Sequence, residues 1–115
     1  MSKQLGQLGE DIATRYLAQK GYRVLARNWR TTGVEVDIIT RDGDEVVFVE
    51  VKTRQTDVAG YPEDSVTSVK RHHLERVAQA WLVENAHGDT AWRVDVIAIR
   101  LFDNGDQDIV HFEGI

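Results

Sequence analysis

Residues 34–53 read VEVDIITRDGDEVVFVEVKT. Two runs rich in valine and isoleucine flank Asp42-Gly43, a dipeptide that favours the tight turn of a β-hairpin. The stretch therefore predicts two antiparallel strands over residues 34–40 and 45–53. Strand side chains alternate faces. Val34, Val36 and Ile38 are expected on one face, with Glu35 and Asp37 on the other. In the second strand Val47, Val49 and Val51 share a face, opposite Val46, Phe48, Glu50 and Lys52. A loop at Asp42-Gly43 sets Glu35 opposite Glu50. A loop at Gly43-Asp44 sets Asp37 there instead. Both registers predict all four charged side chains on one face, with directly opposed Cβ atoms about 4.5–5.5 Å apart.

The site-bearing face of the second strand changes from Val46 and Phe48 to Glu50 and Lys52. A plain amphipathic strand stays polar along one face. Opposed carboxylates in a sheet are destabilising, and buried ones more so, unless something compensates them. Lys52 supplies one positive charge. A hard divalent cation supplies more, because magnesium takes carboxylate oxygens plus waters. Such an ion polarises a phosphoryl oxygen and acidifies a bound water, and a nearby lysine orients the water or stabilises developing charge. The spacing of Asp37, then Glu50-Val51-Lys52, suits phosphodiester hydrolysis. A Glu-x-Lys in a strand, taken alone, is more often a solvated salt bridge. The second acidic pair and the apolar-to-charged switch carry the metal-site reading.

Outward from the hairpin, residues 4–20 predict a helix with Leu5, Leu8, Ile12 and Tyr16 as its apolar stripe, widened by Ala13 and Leu17. Gly21 ends it. Residues 22–27 read as a short strand. A loop over residues 54–62 contains Gly60 and Pro62. A second helix over about residues 63–85 carries Val66, Val69, Leu74, Val77 and Trp81 on one face. Lys70 falls inside that stripe, so it either snorkels past the helix end or reaches toward the sheet. After a loop at His87-Gly88-Asp89, residues 91–101 form another strand. Asp95 interrupts its apolar run, either as a structural partner for an arginine, Arg93 on the same face being the candidate, or as part of an extended site; the structural role is favoured. Asn104-Gly105 marks a turn, and residues 109–113 form an edge strand. The order predicts one α/β domain over residues 1–115, a mixed sheet flanked by helices, with the second helix as the crossover to a parallel strand.

The 115 residues carry 42% hydrophobic and 29% charged side chains, as an ordinary soluble domain does. The absence of cysteine excludes disulfides and thiolate metal sites and fits a reducing cytoplasm. The polar N-terminus lacks a signal-peptide core. No apolar run is long enough to span a membrane. A net charge of −5 counts against simple coating of nucleic acid. Arg27, Arg30, Arg54, Lys70, Arg71 and Arg76 either converge into a local basic surface or disperse over a mixed-charge one. The four histidines have no metal-ligand spacing, and neither a phosphate-binding glycine loop nor a nucleophile elbow occurs.

These residues also carry a family resemblance over about residues 6–99. Gly9-Glu10-Asp11-Ile12-Ala13, Tyr16-Leu17, Gly21-Tyr22, Asn28-Trp29-Arg30, Glu35-Val36-Asp37 and Arg93-Val94-Asp95-Val96 fit its pattern. The most specific run is Val47-Phe48-Val49-Glu50-Val51-Lys52-Thr53-Arg54, and Lys70 falls where a lysine is expected. The chain resembles the YraN-like bacterial proteins, which are similar in fold to PD-(D/E)XK nucleases of the archaeal Holliday junction resolvase type. It departs from them at Val34, where the family has glycine; here Gly33 precedes it.

The resemblance implies a restriction-endonuclease-like core of order αβββαβ. It implies metal binding by Asp37 and Glu50, with Glu35 beside them, and Lys52 as the catalytic lysine. Glu10 matches a helix glutamate brought to the site in resolvase-like members. The cofactor expected is Mg2+ or Mn2+. Arg30, Arg54, Lys70 and Arg71 are the candidates for nucleic-acid contact, with DNA favoured over RNA. Resolvases of this type act as dimers, so a homodimer is implied. Two functions remain open: a metal-dependent endonuclease acting on branched or processed DNA, and a non-catalytic nucleic-acid-binding or adaptor protein that keeps the scaffold. The net charge favours the second, or a protein partner that supplies basic surface.

Overall fold

The computed structural model of the protein describes residues 3–55, 68–85 and 89–115. Its elements are α1 (Lys3–Gln19), β1 (Arg23–Thr31), β2 (Val34–Asp42), β3 (Glu45–Gln55), α2 (Ser68–Glu84), β4 (Trp92–Leu101) and β5 (Gln107–Phe112). The strands form one sheet in the order β1-β2-β3-β4-β5. β3 and β4 run parallel, and the other neighbours are antiparallel. The first six elements follow the αβββαβ order of a restriction-endonuclease-like core, and β5 extends the far edge. Among the described residues, no helix is long and apolar enough to cross a membrane.

Each face of the sheet buries its own cluster. Under α2 lie Ile39, Val46, Phe48 and Val94 with Leu74, Val77 and Trp81 of the helix. Under α1 lie Ile38, Val47, Val49, Ile97 and Ile99 with Ala13 and Leu17. β3 is apolar on both faces because a helix covers each of them. Leu74, Val77 and Trp81 are buried as their spacing predicts. The expected helix start at residue 63, Gly60, Pro62, Val66, the side chain of Val69, and His87-Gly88 lie outside the described residues.

The buried stripe of α1 differs from the expected one. Gly9, Ala13 and Leu17 face the sheet, whereas Leu8 is 46% exposed. Ile12 and Tyr16 only flank the cluster. Small residues at this spacing let the helix backbone approach closely: a Cβ built on Gly9 would lie 1.8 Å from Thr53 Oγ1. A periodicity count weighted by side-chain size favours the larger residues and misses this approach.

The hairpin turn is Gly43-Asp44, because Asp42 pairs with Glu45. Gly43 has a φ of 60°, which suits a two-residue hairpin turn. β1 continues past its expected end at residue 27, pairing with β2 as far as Thr31↔Val34. At the far edge Asp95, fully buried, is structural as expected, and its partners exceed the expected Arg93. It accepts hydrogen bonds from Arg93 Nε at 3.0 Å and the Gly114 N–H at 2.9 Å, and lies 2.7 Å from His111 Nε2. These contacts pin β5 and the following residues onto β4.

Candidate metal and phosphate site

The hairpin of β1 and β2 reverses its faces partway along. Arg27↔Ile38 and Trp29↔Val36 are paired, but the intervening Asn28 and Asp37 are missing from the ladder. Asn28 adopts a left-handed backbone with φ of 52°. Before this point Ile38 faces the α1 cluster. Beyond it Trp29, Val34 and Val36 face the α2 cluster, where strict alternation from Ile38 would send Val36 to the α1 side. The predicted grouping of Val34, Val36 and Ile38 on one face is therefore corrected: Ile38 lies opposite the two valines.

The same reversal separates the charged residues. Glu50 and Lys52 lie on the α2 face of β3, in phase with Val46 and Phe48. Glu35 turns to the α1 side, where Arg30 donates to it at 2.8 Å. The expectation of four charged groups on one face fails here, because it assumed unbroken alternation through residue 37. Asp37 sits at the crossing point.

Pairing of β2 with β3 ends at Ile38↔Val49, and the register continues to bring Asp37 level with Glu50. Asp37 Oδ2 accepts the Val51 N–H at 2.8 Å, so a side chain takes over as acceptor where the ladder stops. Glu50 is 9% exposed. Its Oε1 lies 2.9 Å from Lys70 Nζ and 3.6 Å from Lys52 Nζ. Lys70 thus reaches toward the sheet, one of its two predicted courses.

The electrostatics follow from this crowding. Burial, and then the neighbouring Glu50 carboxylate, push Asp37 up to about 7, against the opposing Val51 hydrogen bond. Burial and the adjacent Lys70 hold Lys52 below the ordinary lysine value. For Lys70 burial acts downward, but contacts with Lys52 and Glu50 outweigh it and raise the value. Glu10 is raised by burial, then partly relieved by a hydrogen bond with Asn28 and by Arg27.

Two cavities meet here. One, of about 330 Å3, is lined by Glu35, Asp37, Glu50, Lys70 and His73 among others. The other, of about 500 Å3 beside α1, is lined by Gly6, Glu10, Asn28, Arg30 and Glu35 among others. Glu35 lines both. His73 and Asn28 carry no such signal in the sequence: His73 is one of four histidines without metal-ligand spacing, and Asn28 is only part of a family motif.

The expected basic residues are mostly neutralised in place. Arg27 pairs with Asp11 at 2.8 Å, Arg30 with Glu35, and Arg71 with Glu75 at 3.4 Å. Arg54 and Arg76 are exposed. These pairs make the described surface mixed in charge.

Among the described residues, no three histidine or acidic side chains are grouped to hold an ion by themselves. Asp37 and Glu50 nevertheless fit magnesium, which uses one or two carboxylates and keeps several waters. Two crowded carboxylates, one held partly protonated near neutrality, are the donor chemistry that a divalent cation relieves.

The profile of the Uncharacterised protein family UPF0102 matches residues 9–99. A UPF0102 protein of Mycolicibacterium vanbaalenii is 42% identical over 112 residues, covering 97% of this chain and 93% of that protein. One from Nitratidesulfovibrio vulgaris is 48% identical over 94 residues, covering 82% of this chain and 70% of its own. One from a Parafrankia strain is 40% identical over 114 residues, covering 99% and 97%. The match runs from Gly9 within α1 through most of β4, and with it Glu10, Glu35, Asp37, Glu50, Lys52 and Lys70. The chain belongs to the UPF0102 family, the YraN-like group that its motifs resemble.

Proposed function

We propose that the protein is a magnesium- or manganese-dependent nuclease that hydrolyses phosphodiester bonds in DNA, with branched or processed structures as its substrate. The observation that carries this reading is the convergence of Asp37, Glu50, Lys52 and Lys70 where β2 leaves β3. Asp37 and Glu50 would hold the ion, with Glu35 at the rim of the same cavity. When bound, the ion would polarise a phosphoryl oxygen and acidify a water. Lys52, 3.6 Å from Glu50, is suited to orient that water and to stabilise the negative charge that develops on the phosphate. Lys70 is suited to pair with a phosphate once an ion neutralises Glu50. Glu10 and Arg30 line the cavity beside α1 and would meet the strand that runs past it.

A second reading is a nucleic-acid-binding or adaptor protein without cleavage. The absence of cleavage is favoured by the two lysines already compensating Glu50, and the neutralised arginines favour the adaptor form of this reading. Both readings are tested with duplex, single-stranded and branched DNA in Mg2+ and Mn2+. The nuclease reading expects cleavage by wild type, and loss of cleavage in Lys52→Ala with Mn2+ binding nearly unchanged. Salt-sensitive DNA binding without cleavage, persisting in Asp37→Ala, decides for the second.

A further inference from the structure

We propose that Asn28 is the positioning residue of this site: its left-handed backbone reverses the hairpin's faces and so sets Asp37 and Glu35 in their places. The inference rests on the metal-site reading above. Three observations meet at Asn28. Its φ of 52° is the only positive value at a non-glycine residue among the described ones. Asn28 and the facing Asp37 are missing as a pair from the ladder of β1 and β2, which keeps the same register on both sides of them; its register shift lies earlier, between Val24 and Ala26. Past Asn28 the apolar residues Trp29 and Val36 change from the α1 cluster's side to that of α2.

An L-residue avoids this backbone region, and asparagine tolerates it better than most. With an extended residue at 28, alternation would continue unbroken. Glu35 would then turn toward the α2 face, on the side of Glu50, and Trp29 would leave the α2 cluster. The reversal instead sends Glu35 to Arg30 on the α1 side and leaves Asp37 at the crossing, with its carboxylate on the Val51 N–H. Asn28 and Glu10 line the same cavity beside α1, so the reversal lies next to that helix. Asn28 thus governs two carboxylates, Asp37 and Glu35, without being a ligand itself.

The test is Mn2+ affinity by calorimetry on the full chain, for wild type, Asn28→Gly, Asn28→Ala and Asn28→Ser. The Trp29 indole N–H resonance reports the hairpin's faces. Glycine keeps the backbone freedom and loses the side chain. Serine keeps a hydrogen-bonding group and loses the backbone preference. The glycine variant is expected to bind within about threefold of wild type, and the alanine and serine variants about tenfold or more weaker, the scale of lost supporting contacts at metal sites. The Trp29 signal should move in the alanine and serine variants and stay near its wild-type position in the glycine variant. Rescue by glycine is a result that a packing or hydrogen-bonding role does not give. Should Asn28→Ala fail to fold, Asn28→Ser carries the comparison. Wild-type affinity in the alanine and serine variants, or equal loss in the glycine variant, overturns the role of Asn28 alone. No Mn2+ binding by wild type overturns the metal-site reading and this inference with it.

Discussion

Lys70 of α2 places its Nζ 2.9 Å from Glu50 Oε1 on β3, closer than Lys52 of the same strand at 3.6 Å. The contact links a helix seated by apolar side chains to Glu50, the one buried carboxylate on that face among the described residues. Glu50 has an 11% exposed side chain, so it depends on these two ammonium groups more than a surface carboxylate would. Lys70→Met keeps most of the stem and removes the charge. It should lower stability by about 1–3 kcal/mol at neutral pH, the usual cost of leaving a buried polar group short of a partner. Urea unfolding measures this. The loss should shrink in a Glu50→Gln background, and an equal loss in both backgrounds would show that the pair is not the cause.

Asp37 predicts a pH dependence of unusual sign. Its folded value of about 7 lies above the ordinary 3.8. Between about pH 4 and 7 the unfolded chain gives up this proton first, so the native state holds more protons and stability falls as pH rises. Above about 7 the penalty is constant. Asp37→Asn removes it and can still accept the Val51 hydrogen bond. A rise from 3.8 to about 7 sets a ceiling near 4 kcal/mol, and partial exposure reduces the expected gain to about 1–3 kcal/mol at pH 8. At pH 4 the variant and wild type should nearly coincide. Denaturation at both pH values decides it; an unchanged or lowered stability at pH 8 rejects the crowded-carboxylate account.

Gly9 predicts a packing failure. Alanine there gains about 1 kcal/mol of helix propensity, yet its Cβ meets Thr53 Oγ1 at 1.8 Å. Overpacking costs about 1–3 kcal/mol, so the net effect should be destabilising. α1 must shift to fit, and Glu10 shifts with it. Thermal melting should show a midpoint lowered by a few degrees. A midpoint raised above wild type would mean that α1 is not seated as described.

By itself the sequence determined the order of elements, the crossover role of α2, the apolar β3 and the turn region at residues 42–44. These are local signals: alternation, helical spacing, and glycine where the backbone turns. It also brought Asp37, Glu50 and Lys52 forward as one group, because a charge switch on a buried strand is visible in one dimension. Two turn registers stayed open, since Asp42-Gly43 and Gly43-Asp44 are equivalent by composition. The tertiary structure decided between them. It also decided that Glu35 faces α1, that Lys70 reaches Glu50, and that Gly9 rather than Leu8 meets the sheet. Each of these depends on a neighbour distant in the chain. The reversal at Asn28 is the clearest case: one residue out of phase moves every later side chain of a strand to the opposite face, and alternation counted along the sequence has no sign of it.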